Sequence, residues 1–226
     1  MRYGAIAMLP LAAGAAVYGF AFGLLAAQIG FPWWGVTLMS GLVHAGSSQI
    51  VAVEHFAETF AVMGAALAGA ALNLRYIGII ATLSEILSGL SLRMKLLTIH
   101  IAGDENWALM MAERAKNPEI GAGFLIGSGL VMFSTWTTST TLGAIAGATL
   151  PNLERFGLGF AFTAAFIAMA RGLWRGPANL APWAASFFIT ICSVSLGVPK
   201  AYAIIIGAVC GLGLSRVIRN RKRRAA

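Results

Sequence analysis

Apolar residues run along the chain in long blocks, and polar residues break them at few places. Blocks at 5–28, 33–56, 60–83, 121–150, 157–170, 178–196 and 201–217 are parted by Gly30-Phe31-Pro32, by Pro151 and by short charged loops. About 20 apolar residues make one helical crossing of a bilayer. The pattern therefore predicts an all-α polytopic membrane protein with about seven transmembrane helices. Residues 84–119 are less apolar, with Asp104, Glu105 and Asn106 in the middle of 96–112. An isolated acid near the bilayer centre costs at least about 2.5 kcal/mol. Two readings of this segment stand: a cytoplasmic amphipathic helix, or a span buried among others.

Composition agrees with this pattern. Of 226 residues 58% are hydrophobic and 11% charged, with a mean hydropathy of +0.80. A soluble domain carries roughly a quarter charged residues, so a large extramembranous domain is excluded and residues 1–226 read as one integral-membrane domain. The net charge of +8 suggests nucleic acid only until it is located. Six basic residues lie in the tail 215–226 (Arg216, Arg219, Arg221, Lys222, Arg223 and Arg224), leaving ten basic against eight acidic residues elsewhere. The tail reads as a positive-inside anchor touching anionic lipid, which places the C-terminus in the cytoplasm. Counting back seven spans puts Arg171, Arg175, Arg93, Lys95, Arg114 and Lys116 inside and the N-terminus outside. If 96–112 spans, the N-terminus moves inside. Cys192 and Cys210 lack CxxC spacing and read as small buried hydrophobes.

Glycine marks helix packing. The pairs Gly19/Gly23, Gly123/Gly127, Gly143/Gly147 and Gly207/Gly211 each put two glycines on one helix face, which permits close approach. A weak repeat is also visible: Phe22-Gly23 followed by Gly35 echoes Leu142-Gly143 followed by Gly157. With seven spans the first and fourth helices point in opposite directions, which suggests an inverted repeat of helices 1–3 and 4–6.

Polar residues inside apolar blocks are the candidate chemistry. His44-Ala45-Gly46-Ser47-Ser48-Gln49 lies within the second block. Its glycine, two hydroxyls and amide allow the helix to unwind and offer backbone N–H groups to a carboxylate; a continuous helix with back-bonded serines is the other reading. In the third block Asn73 should hydrogen-bond within the bundle. Arg75 either snorkels to the interface or lines a pathway with Asp104 or Glu105 as its partner. The fourth block carries Ser134, Thr135, Thr137, Thr138, Ser139, Thr140 and Thr141 around Trp136, and Ser139 or Thr140 is a candidate lining residue. His100 and Asp104 could form half a metal site, but no third ligand has metal spacing. No nucleophile elbow, HExxH or P-loop is present, so no enzyme, cofactor, metal or ATPase is indicated.

In these residues the chain resembles the AzlC-type large subunits of branched-chain amino-acid exporters (the LIV-E family). The resemblance covers nearly the whole chain. It rests on 18–23 (YGFAFG), 45–49 (AGSSQ), 73–76 (NLRY), 104–107 (DENW), the Trp136, Ser139, Thr140, Gly143 and Gly147 pattern, and 162–174. The chain departs from the family at His44, where Phe is usual, at Gly103, where Thr commonly precedes the acidic pair, and at Asn106, where Ser or Thr is usual. The resemblance implies a two-component secondary exporter in a bacterial inner membrane, paired with a small AzlD-type membrane subunit. The expected substrates are branched-chain or similar hydrophobic amino acids, moved with protons or sodium. In that reading Gly46, Ser47, Ser48, Gln49, Asn73, Ser139 and Thr140 bind substrate, and Arg75, Asp104, Glu105 and His44 serve coupling or gating. The alternative is a passive small-solute channel lined by the hydroxyl-rich helix.

Overall fold

The structure is a computed structural model that describes residues 1–59, 62–149, 167, 174 and 176–225. Every regular element among these residues is helical, as the apolar pattern predicts: α1 (Arg2–Gln28), α2 (Trp33–Val43), α3 (Gly46–Thr59), α4 (Val62–Asn73), α5 (Arg75–Leu83), α6 (Leu92–His100), α7 (Asp104–Lys116), α8 (Ala122–Thr149), α9 (Leu180–Ser195) and α10 (Lys200–Ala225). Among the described residues, three stretches are long and apolar enough to cross a membrane: Arg2–Gln28, Val62–Leu83 and Tyr202–Asn220. Apart from Ile167, the expected fifth span, with Arg171 and Arg175 after it, lies outside the described residues.

The organising contact is between α1 and α8, and glycine makes it. A Cβ on Gly4 would overlap the Phe124 carbonyl, and one on Gly127 the Met1 carbonyl. Midway, Gly19 backs onto Ser139 and Trp136, and Gly23 onto the Thr140 carbonyl; further on Gly143 meets Phe20, and Gly147 meets Leu24 and Ala27. This register means that α1 and α8 run parallel. The opposite orientation expected of these two helices, and the repeat built on it, is therefore corrected. Gly207 and Gly211 do the same work between α10 and α9, against Thr190, Ser186 and Pro182.

The second expected span does not cross the bundle. It folds back on itself. Residue His44, between α2 and α3, has φ 45° and ψ 44°, a left-handed conformation that costs a non-glycine residue roughly 1–2 kcal/mol. The reversal lays α3 antiparallel to α2. Gln49 Nε2 donates to Ser40 Oγ at 3.1 Å, and the Phe56 ring stands 5.2 Å from that of Phe31, at the entrance to α2. Both ends of this hairpin thus lie at the end of the bundle where α1 finishes.

From there α4 and α5 return as one near-continuous helix. At the hinge the Leu74 N–H donates to Ala71 and the Ile77 N–H to Leu74, at 3.4 and 3.1 Å, the tighter spacing of a 3-10 turn. This helix ends beside the start of α1. There Glu85 pairs with Arg114 at 3.2 Å, and Tyr3 on α1 donates to Glu113 at 2.6 Å.

The central segment then forms the second inward excursion. Helix α6 descends from that end, and the chain turns at Ile101-Ala102-Gly103. Helix α7 climbs back, its Met110 buried in an apolar cluster with Leu83, Leu87, Phe124 and Leu125. The unit of span plus inward hairpin therefore occurs twice with opposite direction: α1 with α2–α3, and α4–α5 with α6–α7. The segment 84–119 neither floats on the surface nor runs straight through, and the N-terminus shares one end with Arg93, Lys95, Arg114 and Lys116. The expected split, with these four residues inside and the N-terminus outside, does not hold. Cys192 and Cys210 are exposed on the apolar outer face, which corrects their reading as buried.

Widening the α1–α8 seam should destabilise the whole molecule. Gly23→Val or Gly143→Val should each cost about 1–3 kcal/mol by overpacking against backbone. Gly14→Ala, where nothing lies within 4 Å, should be neutral or stabilising by up to about 1 kcal/mol. Size-exclusion profiles of heated, detergent-solubilised variants provide the measurement.

Candidate functional site

The two hairpins enter from opposite ends, and their tips meet at the level of Phe133 on α8. The His44 and His100 rings flank Phe133, with centroids 5.0 and 5.7 Å from its own. His100 Nε2 lies 2.8 Å from the Gly41 carbonyl, where it donates and so ties one tip to the other. This use of His100, with Asp104 engaged elsewhere, separates the pair considered as half a metal site.

Each tip presents a helix N-terminus. That of α3 begins Gly46-Ser47-Ser48 with no acidic residue in its first turn, so its partial positive charge is unopposed. That of α7 carries Asp104 and Glu105 in its first turn, with Arg114 and Lys116 in its last, an arrangement that matches the helix dipole. Asp104 pairs with Arg75 at 2.9 Å. The partner required by an arginine at this depth is thus the first of the two acids.

The predicted binding residues divide into three sets. Ser48, Gln49 and Asn73 line a cavity of about 630 Å³ between the α2–α3 hairpin and α4. Its remaining wall is apolar, with Phe31, Met39, Val43, Val53, Phe56 and Val62 among the lining residues. Ser48 Oγ donates to Asn73 Oδ1 at 2.5 Å and sets the polar rim of that cavity. Gly46 and Ser47 are not among the residues lining that cavity. Gly46 sits against Trp136 and Tyr18, where a Cβ would approach Trp136 to 2.8 Å, and Ser47 Oγ is buried without a hydrogen-bond partner among the described residues.

Ser139 and Thr140 do not reach the cavity. Ser139 Oγ donates to the Trp136 carbonyl at 3.1 Å under Gly19, inside the α1–α8 seam. Thr140 Oγ1 donates to Ser40 at 2.8 Å. Gln49 completes the same network, because its Oε1 accepts from Trp136 Nε1 at 2.9 Å while its Nε2 holds Ser40. Four buried side chains thereby clamp the α2–α3 hairpin to α8.

Most of the hydroxyl-rich run serves packing. Ser134, Thr138 and Thr141 donate to carbonyls one turn back, at 2.6–2.7 Å, the usual role of hydroxyls in an apolar helix. Thr141 also meets Thr37 of α2 at 2.7 Å.

One residue set was invisible in the sequence as a unit. Gly103, Asn106 and His44 come together at the tip contact, beside Glu105. His44 lies far from the other two in the chain, and only the facing hairpins make them neighbours.

Comparison with known proteins places this architecture. No solved structure matches. The chain is 28% identical to the inner membrane protein YgaZ of Escherichia coli over 209 residues, which cover 90% of this chain and 84% of that protein. It is 30% identical over 153 residues to an uncharacterized membrane protein of Archaeoglobus fulgidus, covering 66% and 64%. A Helicobacter pylori membrane protein is 24% identical over 156 residues, covering 69% and 68%. The AzlC protein family matches residues 10–150, a region that contains both hairpins and the whole of α8, and the chain belongs to that family.

Proposed function

We propose that this membrane transporter of the AzlC type exports branched-chain or similar hydrophobic amino acids (Leu, Ile, Val, Met), driven by a coupling ion and assisted by a small AzlD-type membrane subunit. The observation that carries the reading is the cavity beside the α2–α3 tip: apolar over most of its wall, polar only at Ser48, Gln49 and Asn73. A branched aliphatic side chain suits such a wall, since each buried methylene is worth about 0.8 kcal/mol. The substrate carboxylate meets the unopposed N-terminus of α3 at Gly46-Ser47-Ser48. The Arg75–Asp104 pair is the mobile charge of the cycle, because it joins the α4–α5 hinge to the second hairpin. A passive channel needs a continuous polar lining, whereas the hydroxyls of α8 are largely occupied by their own helix and by α2.

The direct test is an intracellular amino-acid profile after deletion of the gene and feeding of dipeptides. Accumulation of Val, Leu, Ile or Met in the deletion strain, relieved by the wild-type gene and matched by the wild type once an uncoupler is added, is the expected result. Gly46→Leu and Asn73→Ala should each fail to complement. If both complement fully, the placement of the site is wrong.

Charge reversal tests the ion pair. Arg75→Asp and Asp104→Arg should each reduce export by about tenfold or more, since each sets two like charges against one another at membrane depth, where charges need an opposite partner. The double swap should recover a substantial part of that loss in the same export assay.

Orientation follows the positive-inside rule. The end of the bundle that holds Met1 also holds Arg2, Arg93, Lys95, Arg114 and Lys116, so we place it, like the basic C-terminal tail, in the cytoplasm. Green fluorescent protein fused to the N-terminus should be fluorescent, and alkaline phosphatase at the same place inactive.

A further inference from the structure

We propose that the contact between the two hairpin tips is a binding site for a primary ammonium group, the α-ammonium of the transported amino acid, with Glu105, Asn106 and His44 as its three acceptors. The nature of the substrate rests on the export reading above; the site itself rests on geometry.

A Cβ placed on Gly103 would stand 3.4 Å from Glu105 Oε2, 3.5 Å from Asn106 Oδ1 and 3.6 Å from His44 Nε2. Three acceptor atoms from two different hairpins converge on one point. Asn106 is fully buried. Its Nδ2 donates to the Ile101 carbonyl at 3.3 Å, which fixes the amide and turns Oδ1 toward Gly103. That oxygen has no hydrogen-bond partner among the described residues, and neither has either ring nitrogen of His44, a residue only 6% exposed. Buried polar atoms are almost always paired, so a cluster aimed at one point indicates a ligand that donates. With the proton on Nδ1, His44 Nε2 is an acceptor.

Charge and valence select the ligand. Arg75 is engaged with Asp104, so those two charges offset each other and Glu105 supplies the net negative charge at the tip. An anion is disfavoured there, and a monocation fits. An ammonium group brings three N–H donors to three acceptors. An alkali ion prefers oxygen alone, whereas imidazole suits transition metals.

Gly103 supplies the access. Its φ of −85° and ψ of 178° are open to any residue, and a Cβ would make only ordinary contacts. Neither backbone nor packing demands glycine at this position. What glycine provides is close approach to the three acceptors, a use that follows from its missing side chain.

The test uses the full chain in lipid nanodiscs, with binding of labelled L-leucine and labelled isopentylamine. The competitors are isopentylamine, which has the ammonium without a carboxylate, and 4-methylpentanoate, which has the carboxylate without the ammonium. Gly103→Ala, with an unchanged size-exclusion profile, should weaken L-leucine and isopentylamine about tenfold or more, as expected for a lost charge-assisted contact. Competition by 4-methylpentanoate should not change. Glu105→Gln, nearly isosteric, should reproduce the pattern if Gly103→Ala folds poorly. Leucine binding untouched by both variants would overturn the ammonium site and leave the export reading standing. Isopentylamine binding lost in the variants, from a protein that binds no leucine, would support the site and sink the export reading. Equal weakening of all three probes, removal of a sodium requirement without effect on the amine, or no binding of any probe by the wild type would each overturn the proposal.

Discussion

The two hairpins are positioned by the parallel contact of α1 and α8 along their glycine faces. Between two apolar helices in a bilayer, water expulsion supplies little attraction, because lipid tails are as apolar as leucine. Close van der Waals contact must hold the pair instead, and it requires backbones that touch. Gly4, Gly19 and Gly23 on one helix and Gly127, Gly143 and Gly147 on the other let each backbone press on its neighbour. The register that results sets Trp136 beside Tyr18 and Phe22. Trp136 in turn carries the hydrogen bond that holds the first hairpin.

A helix break at membrane depth leaves N–H and C=O groups without partners, and lipid offers none. Here the two breaks are brought together within the protein and backed by α8. The buried network of Ser40, Gln49, Trp136 and Thr140 holds one tip in place, and the contact of His100 with the Gly41 carbonyl joins it to the other. The left-handed residue at the first tip is a histidine although a glycine would be less strained there. That conformational cost persists only where surrounding structure over-determines it, which is common at functional positions. The two tips also differ in charge: one helix N-terminus is bare and the other bears two carboxylates. The pairing suits a zwitterion, whose opposite charges lie within one small molecule.

Much of this was legible in the primary structure. The apolar blocks gave the helices nearly to their ends: 5–28 against α1, 121–150 against α8, 178–196 against α9. The interruption at His44 to Gln49 was visible as a polar, glycine-containing turn, and the depth of Arg75 called for an acidic partner. Chain direction was not legible. A largely apolar run of 24 residues from 33 to 56 has the length of one crossing or of two half-crossings, and hydropathy cannot tell them apart, since both bury the same surface. The hydroxyls of α8 misled for a related reason. Composition states that a helix holds hydroxyls, while only geometry reveals that most bond to their own carbonyls.

What the sequence alone determined is the solvent and the currency of the fold: an apolar chain with few charges must be a helical bundle in lipid, and its rare polar residues must find one another. Local chemistry sufficed for that, because propensity, hydropathy and glycine spacing act over one or two helical turns. Only the tertiary structure decided that α1 and α8 run side by side in one direction and that the second apolar block turns back. It alone brought His44, Gly103, Glu105 and Asn106 to one point. Such contacts join residues far apart in the chain, and their selection depends on which backbones can approach closely, a property of the assembled bundle that no single segment carries.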